Sequence, residues 1–306
     1  MHRFAQMGIV WLAVLLLVAC AKPQYVLEEE RPSLGEVKVR DGGSLRQVAM
    51  AAPTAPPGSF LRQTSDLLAD QIMATFQSRG KGIRLLTARE DDFTALMVRP
   101  ELLAAPQRFD LATTARLAGY QHLMQSQVMD ARVFEQQKGI WWFRKPRYYM
   151  TVAFSLDVID TFTAAKVLSR VVEETIRIDV NSYEAFRSGS QSLFGAMEKS
   201  VRGIGRRLAR EAIDTIRDTH WKAAVIGIDD GMVTFAVGRT VGVRPGDRWA
   251  VFEGRRIVTG ADGARFIVPG YRLGTVEVVA VDEAQTRARL LDDAAIQVGD
   301  FAVPLK

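Results

Sequence analysis

Residues with the capacity for chemistry are few and scattered. A single cysteine, Cys20, closes the run Leu17-Val18-Ala19-Cys20, and the three histidines His2, His122 and His220 stand far apart. One thiol and dispersed imidazoles remove a disulfide scaffold, a zinc ribbon and a Cys/His nucleophile from consideration, so no metal and no other cofactor is expected. His122 falls in a stretch that reads as a strand and is expected to be structural. The carboxylate pairs Asp91-Asp92, Asp229-Asp230 and Asp292-Asp293 are adjacent in sequence. Adjacent residues on a strand point to opposite faces, which makes a shared acid/base site a poor fit and favours turn and cap roles. Ser188-Gly189-Ser190 and Arg202-Gly203-Ile204-Gly205-Arg206 lack the spacing and the lysine of a phosphate loop. No catalytic residue is assigned, and the chain is expected not to be an enzyme.

Cys20 acquires a meaning from what precedes it. Arg3 supplies a short positive region, residues 9–18 an apolar one, and Ala19 a small residue before the thiol. Such a run is too short for a transmembrane helix, which takes about 20 apolar residues. It is similar to the lipobox of bacterial lipoprotein signal peptides. That resemblance implies cleavage between Ala19 and Cys20, acylation of Cys20 on sulfur and on its new amino group, and a lipid bilayer as partner. Ala21, where an aspartate would stand in inner-membrane members, resembles the outer-membrane-directed ones. The competing reading, an ordinary secretory signal with a chance cysteine, leaves an unpaired thiol in an oxidising compartment.

The composition suits a folded body on such an anchor. Of 306 residues, 48% are hydrophobic and 25% charged, which is globular. Forty Lys and Arg against 35 Asp and Glu make +5, and loss of residues 1–19 takes away only Arg3 among these. This small excess is spread along the chain, so nucleic acid is not an expected partner. No second long apolar run exists, and the expected body is soluble and tethered.

One segment stands out, Gly139-Ile140-Trp141-Trp142-Phe143-Arg144-Lys145-Pro146-Arg147-Tyr148-Tyr149, which falls at a predicted hairpin tip. Aromatics interleaved with cations stack on sugars or bases, fill a partner's pocket, or sit at a headgroup interface. The plain structural alternative folds the aromatics back over the sheet edge. The favoured reading is docking to another envelope protein through Trp141, Trp142, Phe143, Arg144, Arg147 and Tyr148, because exposed Trp with Arg is enriched at binding hot spots.

The elements that would position this segment follow from hydrophobic period. Strands are predicted over 47–52, 83–87, 121–134, 148–158 and 166–178, with Met150, Val152, Phe154, Leu156 and Val158 on one face of the fourth. Helices are predicted over 59–78, from an Asp110 N-cap through Arg116, and as one long helix from Asn181 to Ile216. Arginines 202, 206, 207 and 210 mark the long helix's outer face, which reads as solvated. From Trp221 the pattern becomes short strands separated by Gly and Asp, as in a small barrel. Asp230-Gly231 makes a tight turn, and Gly246-Asp247 recurs as Gly299-Asp300.

This order, with Ala118-Gly119-Tyr120 and Asp157-Val158-Ile159-Asp160-Thr161, resembles the curli-secretion lipoprotein (CsgG) family. Val241-Gly242-Val243-Arg244-Pro245-Gly246-Asp247 and Gly299-Asp300 look like the C-terminal barrel of flagellar assembly protein T. The resemblance implies an α+β protein: an α/β sandwich-type domain with a three-strand antiparallel meander and long helix, then an SH3-like β-barrel. The expected organisation is a signal peptide over 1–19, a flexible tether over 20–45, the α/β domain over 46–219 and the barrel over 220–306. Connectors of 13 residues at 135–147 and six at 160–165 are too short to supply the spanning hairpins of the channel members, so a periplasmic body without its own pore is expected. The implied role is a binding or assembly factor for a secretion, flagellar or similar envelope machine, with a homo-oligomer by analogy. An activator of a peptidoglycan synthase is the alternative. A glycan hydrolase would need two carboxylates converging near Trp141.

Overall fold

The computed structural model describes residues 32–38, 44–87, 107–189 and 194–306. The leader, Ala19, Cys20, Asp91-Asp92 and Ser190 lie outside the described residues. The architecture is α+β. Its first layer is a five-stranded mixed sheet of order β2-β1-β3-β4-β5, built from β1 (Arg46–Met50), β2 (Ile83–Thr87), β3 (His122–Lys138), β4 (Lys145–Asp160) and β5 (Lys166–Ile178). β1 runs parallel to β2 and β3, while β3, β4 and β5 form an antiparallel meander.

Period-two alternation decides what each strand buries. Val48 and Met50 of β1, Met124 and Val128 of β3, and Met150, Val152, Phe154, Leu156 and Val158 of β4 face α1 (Ser59–Arg79) and a second long helix (Phe194–Asp218). Burying each large side chain contributes about 1.5–3 kcal/mol. Gly205 lets the two helices approach, since a Cβ there would lie 2.9 Å from Cγ of Gln71. The intervening residues Ala49, Leu123 and Ile159 face the other way, onto Phe109, Leu111, Ala112 and Ala115 of α2 (Gln107–Leu117).

Beyond the sheet, a closed six-stranded barrel of order β11-β12-β7-β6-β13-β8 follows, built from β6 (Ala223–Asp229), β7 (Met232–Phe235), β8 (Arg248–Phe252), β11 (Arg272–Val281), β12 (Thr286–Leu290) and β13 (Phe301–Pro304). Trp221, Phe235 and Trp249 fill its interior, with Phe235 and Trp249 edge to face at 5.1 Å. Its turns are those expected. Asp230 and Gly231 both have positive φ in the two-residue β6–β7 loop. The repeated Gly-Asp turns share one geometry: Arg244 N donates to Asp247 Oδ2 and Gln297 N donates to Asp300 Oδ2, both with a left-handed glycine before the aspartate.

Several boundaries differ from the expectations. Asp110 is inside the first turn of α2, because the helix already starts at Gln107. The long helix is two helices, α3 (Val180–Arg187) and α4 (Phe194–Asp218), and the N-cap of α3 is Asp179, whose Oδ1 accepts from Ser182 N at 2.9 Å. Gly189, with φ 76°, follows α3 directly and breaks a helical period that the apolar residues alone carry through. Part of the expected tether is packed: Leu34 and Val37 lie against Phe252, Phe301 and Val303, because the barrel's outer wall there is apolar. A hairpin of β9 (Arg256–Thr259) and β10 (Arg265–Val268) went unpredicted. It leaves the barrel and lays Ile267 into the α2 side of the sheet, where Arg265 bonds Asp110 at 2.6 Å and stands 4.3 Å over the Phe109 ring.

Candidate functional site

Residues 135–138 and 145–147, expected to be connector, are paired strand. Register runs without interruption from Asp130↔Ala153 to Lys138↔Lys145, so β3 and β4 reach 17 and 16 residues. At about 3.3 Å per residue, the Lys138 end of β3 stands roughly 50 Å from His122. β5 accompanies β4 only as far as Ile178↔Tyr148, and beyond that pair the sheet narrows to a two-stranded arm.

Six residues, 139–144, close the arm. Gly139 has φ 134°, and a Cβ there would run into the Phe143 carbonyl, so the turn requires glycine. Trp141–Phe143 form one turn of 3-10 helix, with Phe143 N donating to Ile140 O at 3.1 Å. Trp141 itself sits at φ 51°, a left-handed conformation that a bulky residue adopts only at a cost. Ile140, Trp141, Trp142 and Phe143 are 83%, 75%, 74% and 74% exposed. The aromatics therefore do not fold back over the sheet edge. Trp142 lies 4.9 Å from Trp141 and 6.4 Å from Phe143, ring to ring, in tilted arrangements. Arg144, Lys145 and Arg147 are exposed beside them, as is Lys138 on the opposite strand. Tyr148 is elsewhere: half-buried, with its ring 4.6 Å from Tyr183 of α3, it belongs to the core margin and not to the tip.

At the opposite end of β3 lies a second cluster, assembled from residues that sequence reasoning did not connect. Lys222 Nζ meets Asp160 Oδ2 at 3.0 Å with both side chains 8% exposed, and Phe162 N donates to Asp160 Oδ1 at 2.7 Å. Burial works to raise the Asp160 pKa, but the Lys222 ammonium and these hydrogen bonds outweigh it and hold the carboxyl below its ordinary value. His122, directly across from Asp160 in the β3–β4 ladder, is fully buried, and its Nε2 is 3.2 Å from Thr219 Oγ1. Burial first, then Lys222 and Arg46, pushes its pKa down to about 4 against the pull of Asp160, so the ring is neutral at pH 7.

The same junction takes in the barrel. Gln121 Nε2 donates to Lys222 O at 3.0 Å, Arg116 Nη1 to Gly254 O at 3.2 Å, and Gly254 N to the fully buried Asp300 at 3.1 Å. Lys222 Nζ also lies 5.3 Å from the Phe162 ring centre and 5.9 Å from that of Phe301. Gly119, with φ 89°, is needed where α2 ends, because a Cβ would meet the Ala236 carbonyl of the barrel. A neutral imidazole thus stands beside a closed ion pair where the sheet meets the barrel. Among the described residues no three His, Cys, Asp or Glu side chains are grouped to hold a metal ion. Asp292, from one of the adjacent pairs, accepts Thr275 N at 2.8 Å, while Asp229 ends β6 opposite Met232 and Asp230 opens the β6–β7 turn.

No family model and no curated protein matches the chain. Solved structures do. A hypothetical protein from Chlamydia trachomatis is 12% identical with a TM-score of 0.34, over 56% of this chain and 96% of its own. A minor lipoprotein from Acinetobacter baumannii is 11% identical with a TM-score of 0.26, over 56% and 92%. The PelC dodecamer from Paraburkholderia phytofirmans is 11% identical with a TM-score of 0.27, over 56% and 94%. Likenesses this low carry no argument about role or assembly.

Proposed function

We propose that the chain is an outer-membrane-anchored lipoprotein facing the periplasm that works by binding, as an assembly or stabilising factor for an envelope machine such as a secretion or flagellar system. The anchor is the acylated Cys20, and the body is a curli-secretion-like platform, 46–219, joined to an SH3-like barrel, 220–306. What carries the reading is the arm: a long ribbon that spends its outer residues presenting four apolar side chains to solvent, where folding gains nothing from them. Between 134 and 148 the one carboxylate is Glu135, and its Oε1 already accepts from Gln137 at 2.6 Å, which favours a contact surface over a glycosidase's paired acids.

Two measurements on the native chain test this. Mass spectrometry of the mature protein is expected to find an acylated N-terminal Cys20, and a chain that starts elsewhere or is unmodified at that sulfur overturns the anchor. Capture after cross-linking in intact cells is expected to recover an envelope protein in fixed proportion to the bait. Recovery of the bait alone overturns the assembly role.

A further inference from the structure

We propose that the arm tip seats in the interfacial region of an anionic phospholipid bilayer, with Ile140, Trp141, Trp142 and Phe143 among the upper acyl chains and Lys138, Arg144, Lys145 and Arg147 at the phosphates. The proposal rests on the arm being a contact element and names what it grips. Four observations point to lipid. The apolar residues form a convex cap, each side chain about three-quarters exposed or more, and not a flat patch of the kind that mates with a folded surface. Tryptophan is the side chain most at home where one end is apolar and the other wet.

Charge supplies the other two. From 136 to 147 the arm carries four cations and no acid. They sit immediately behind the cap on both strands, where a ribbon pushed in by one apolar turn would bring them level with headgroups. Lys138 is directly opposite Lys145 in register, a pairing of like charges, and its ammonium leans back to stand 5.7 Å from the Tyr149 ring centre. The strained Trp141 is a second local cost in the same few residues. An anionic bilayer relieves the first and gives the second a purpose. The cap is one turn deep, so the seat is interfacial and spans nothing.

Tryptophan emission tests this on the full chain reconstituted into vesicles of phosphatidylglycerol and phosphatidylcholine, with brominated phosphatidylcholine as quencher. Trp221 and Trp249 are at most 2% exposed and cannot meet lipid. The variant Trp141→Phe/Trp142→Phe, which keeps the cap apolar, sets the background from all other tryptophans. Seating in the vesicles is expected to blue-shift the native emission and bromolipid to quench it, and both are expected to leave that variant unchanged. Lys138→Gln with Lys145→Gln is expected to shift the seated-to-free ratio about 25-fold toward free, at about fivefold per cation, as is replacing phosphatidylglycerol by phosphatidylcholine to a similar or greater degree.

Native emission that ignores bromolipid overturns the proposal. So does quenching that is the same in phosphatidylcholine alone and in the Lys138/Lys145 variant. Absence of quenching together with a captured envelope protein would assign the tip to a protein and leave the assembly role intact. Quenching with no captured protein would sink the assembly role and leave the bilayer seat standing.

Discussion

The two ends of β3 break opposite rules. At His122 the fold buries an ion pair, a histidine and an arginine, groups that normally stay wet; at Lys138 it exposes Ile-Trp-Trp-Phe, groups that normally stay dry. Several of the buried exceptions are tied to partners across the junction: Asp160 to Lys222, Arg116 to Gly254, Gln121 to Lys222. The exposed ones touch one another and little else. Polar groups placed inside with partners serve the fold, whereas apolar groups placed outside without them serve something the fold does not contain.

The contrast is sharpest under mutation. Asp160→Asn leaves the Lys222 charge buried and uncompensated, and is expected to lower the unfolding free energy by about 3–5 kcal/mol in urea titrations. If the midpoint does not move, the junction is not the structural end of the molecule. Acid probes the same place. His122 has a folded pKa of about 4 and an unfolded value near 6.5, so the unfolded chain binds the extra proton between them. Stability is therefore complete above pH 6.5 and falls as pH drops toward 4, by roughly 3 kcal/mol from this group. Asp160, whose folded value is lowered, loses stability in the same direction as it protonates. Urea midpoints between pH 7 and 4 measure the slope, and His122→Gln is expected to flatten its upper part.

Two glycines allow the same test at both ends. Gly119→Ala forces a Cβ onto the Ala236 carbonyl inside the junction and is expected to cost about 2 kcal/mol or more. Gly139→Ala creates an equivalent clash with the Phe143 carbonyl, but on an exposed arm that yields locally. Its effect on the global midpoint is expected to stay below about 1 kcal/mol, with the Trp141 and Trp142 emission altered. The smallest change belongs to Trp141→Ala with Trp142→Ala, expected within about 0.5 kcal/mol of the native chain by calorimetry, although two of the largest side chains are removed. A large loss of stability there would show that the tip packs on its own body.

Much of this was legible in the amino-acid order, and the reasons are local. Alternation places β5 at its observed limits and identifies the inward face of β4, because a residue two places on lies on the same face whatever surrounds it. The Asp-Gly and Gly-Asp turns are equally local, decided by left-handed glycines and an aspartate three residues past the amide it binds. Ser188-Gly189-Ser190 stands at the helix break near Gly189, but the apolar period happens to continue across it. Asp262-Gly263 carried a turn signal for the β9–β10 hairpin, but four-residue strands are too short to show a period.

The sequence by itself determined the layers, the turns and the composition of the tip, since each depends on neighbours a few residues away. Only the tertiary structure decided that Arg116, His122, Asp160, Lys222 and Asp300 meet, because residues separated by more than 180 positions converge through packing that no local period encodes. It also decided that the aromatic segment stands free at the end of an arm. Whether a side chain is buried depends on what the rest of the chain brings to it, and among the described residues nothing covers Trp141.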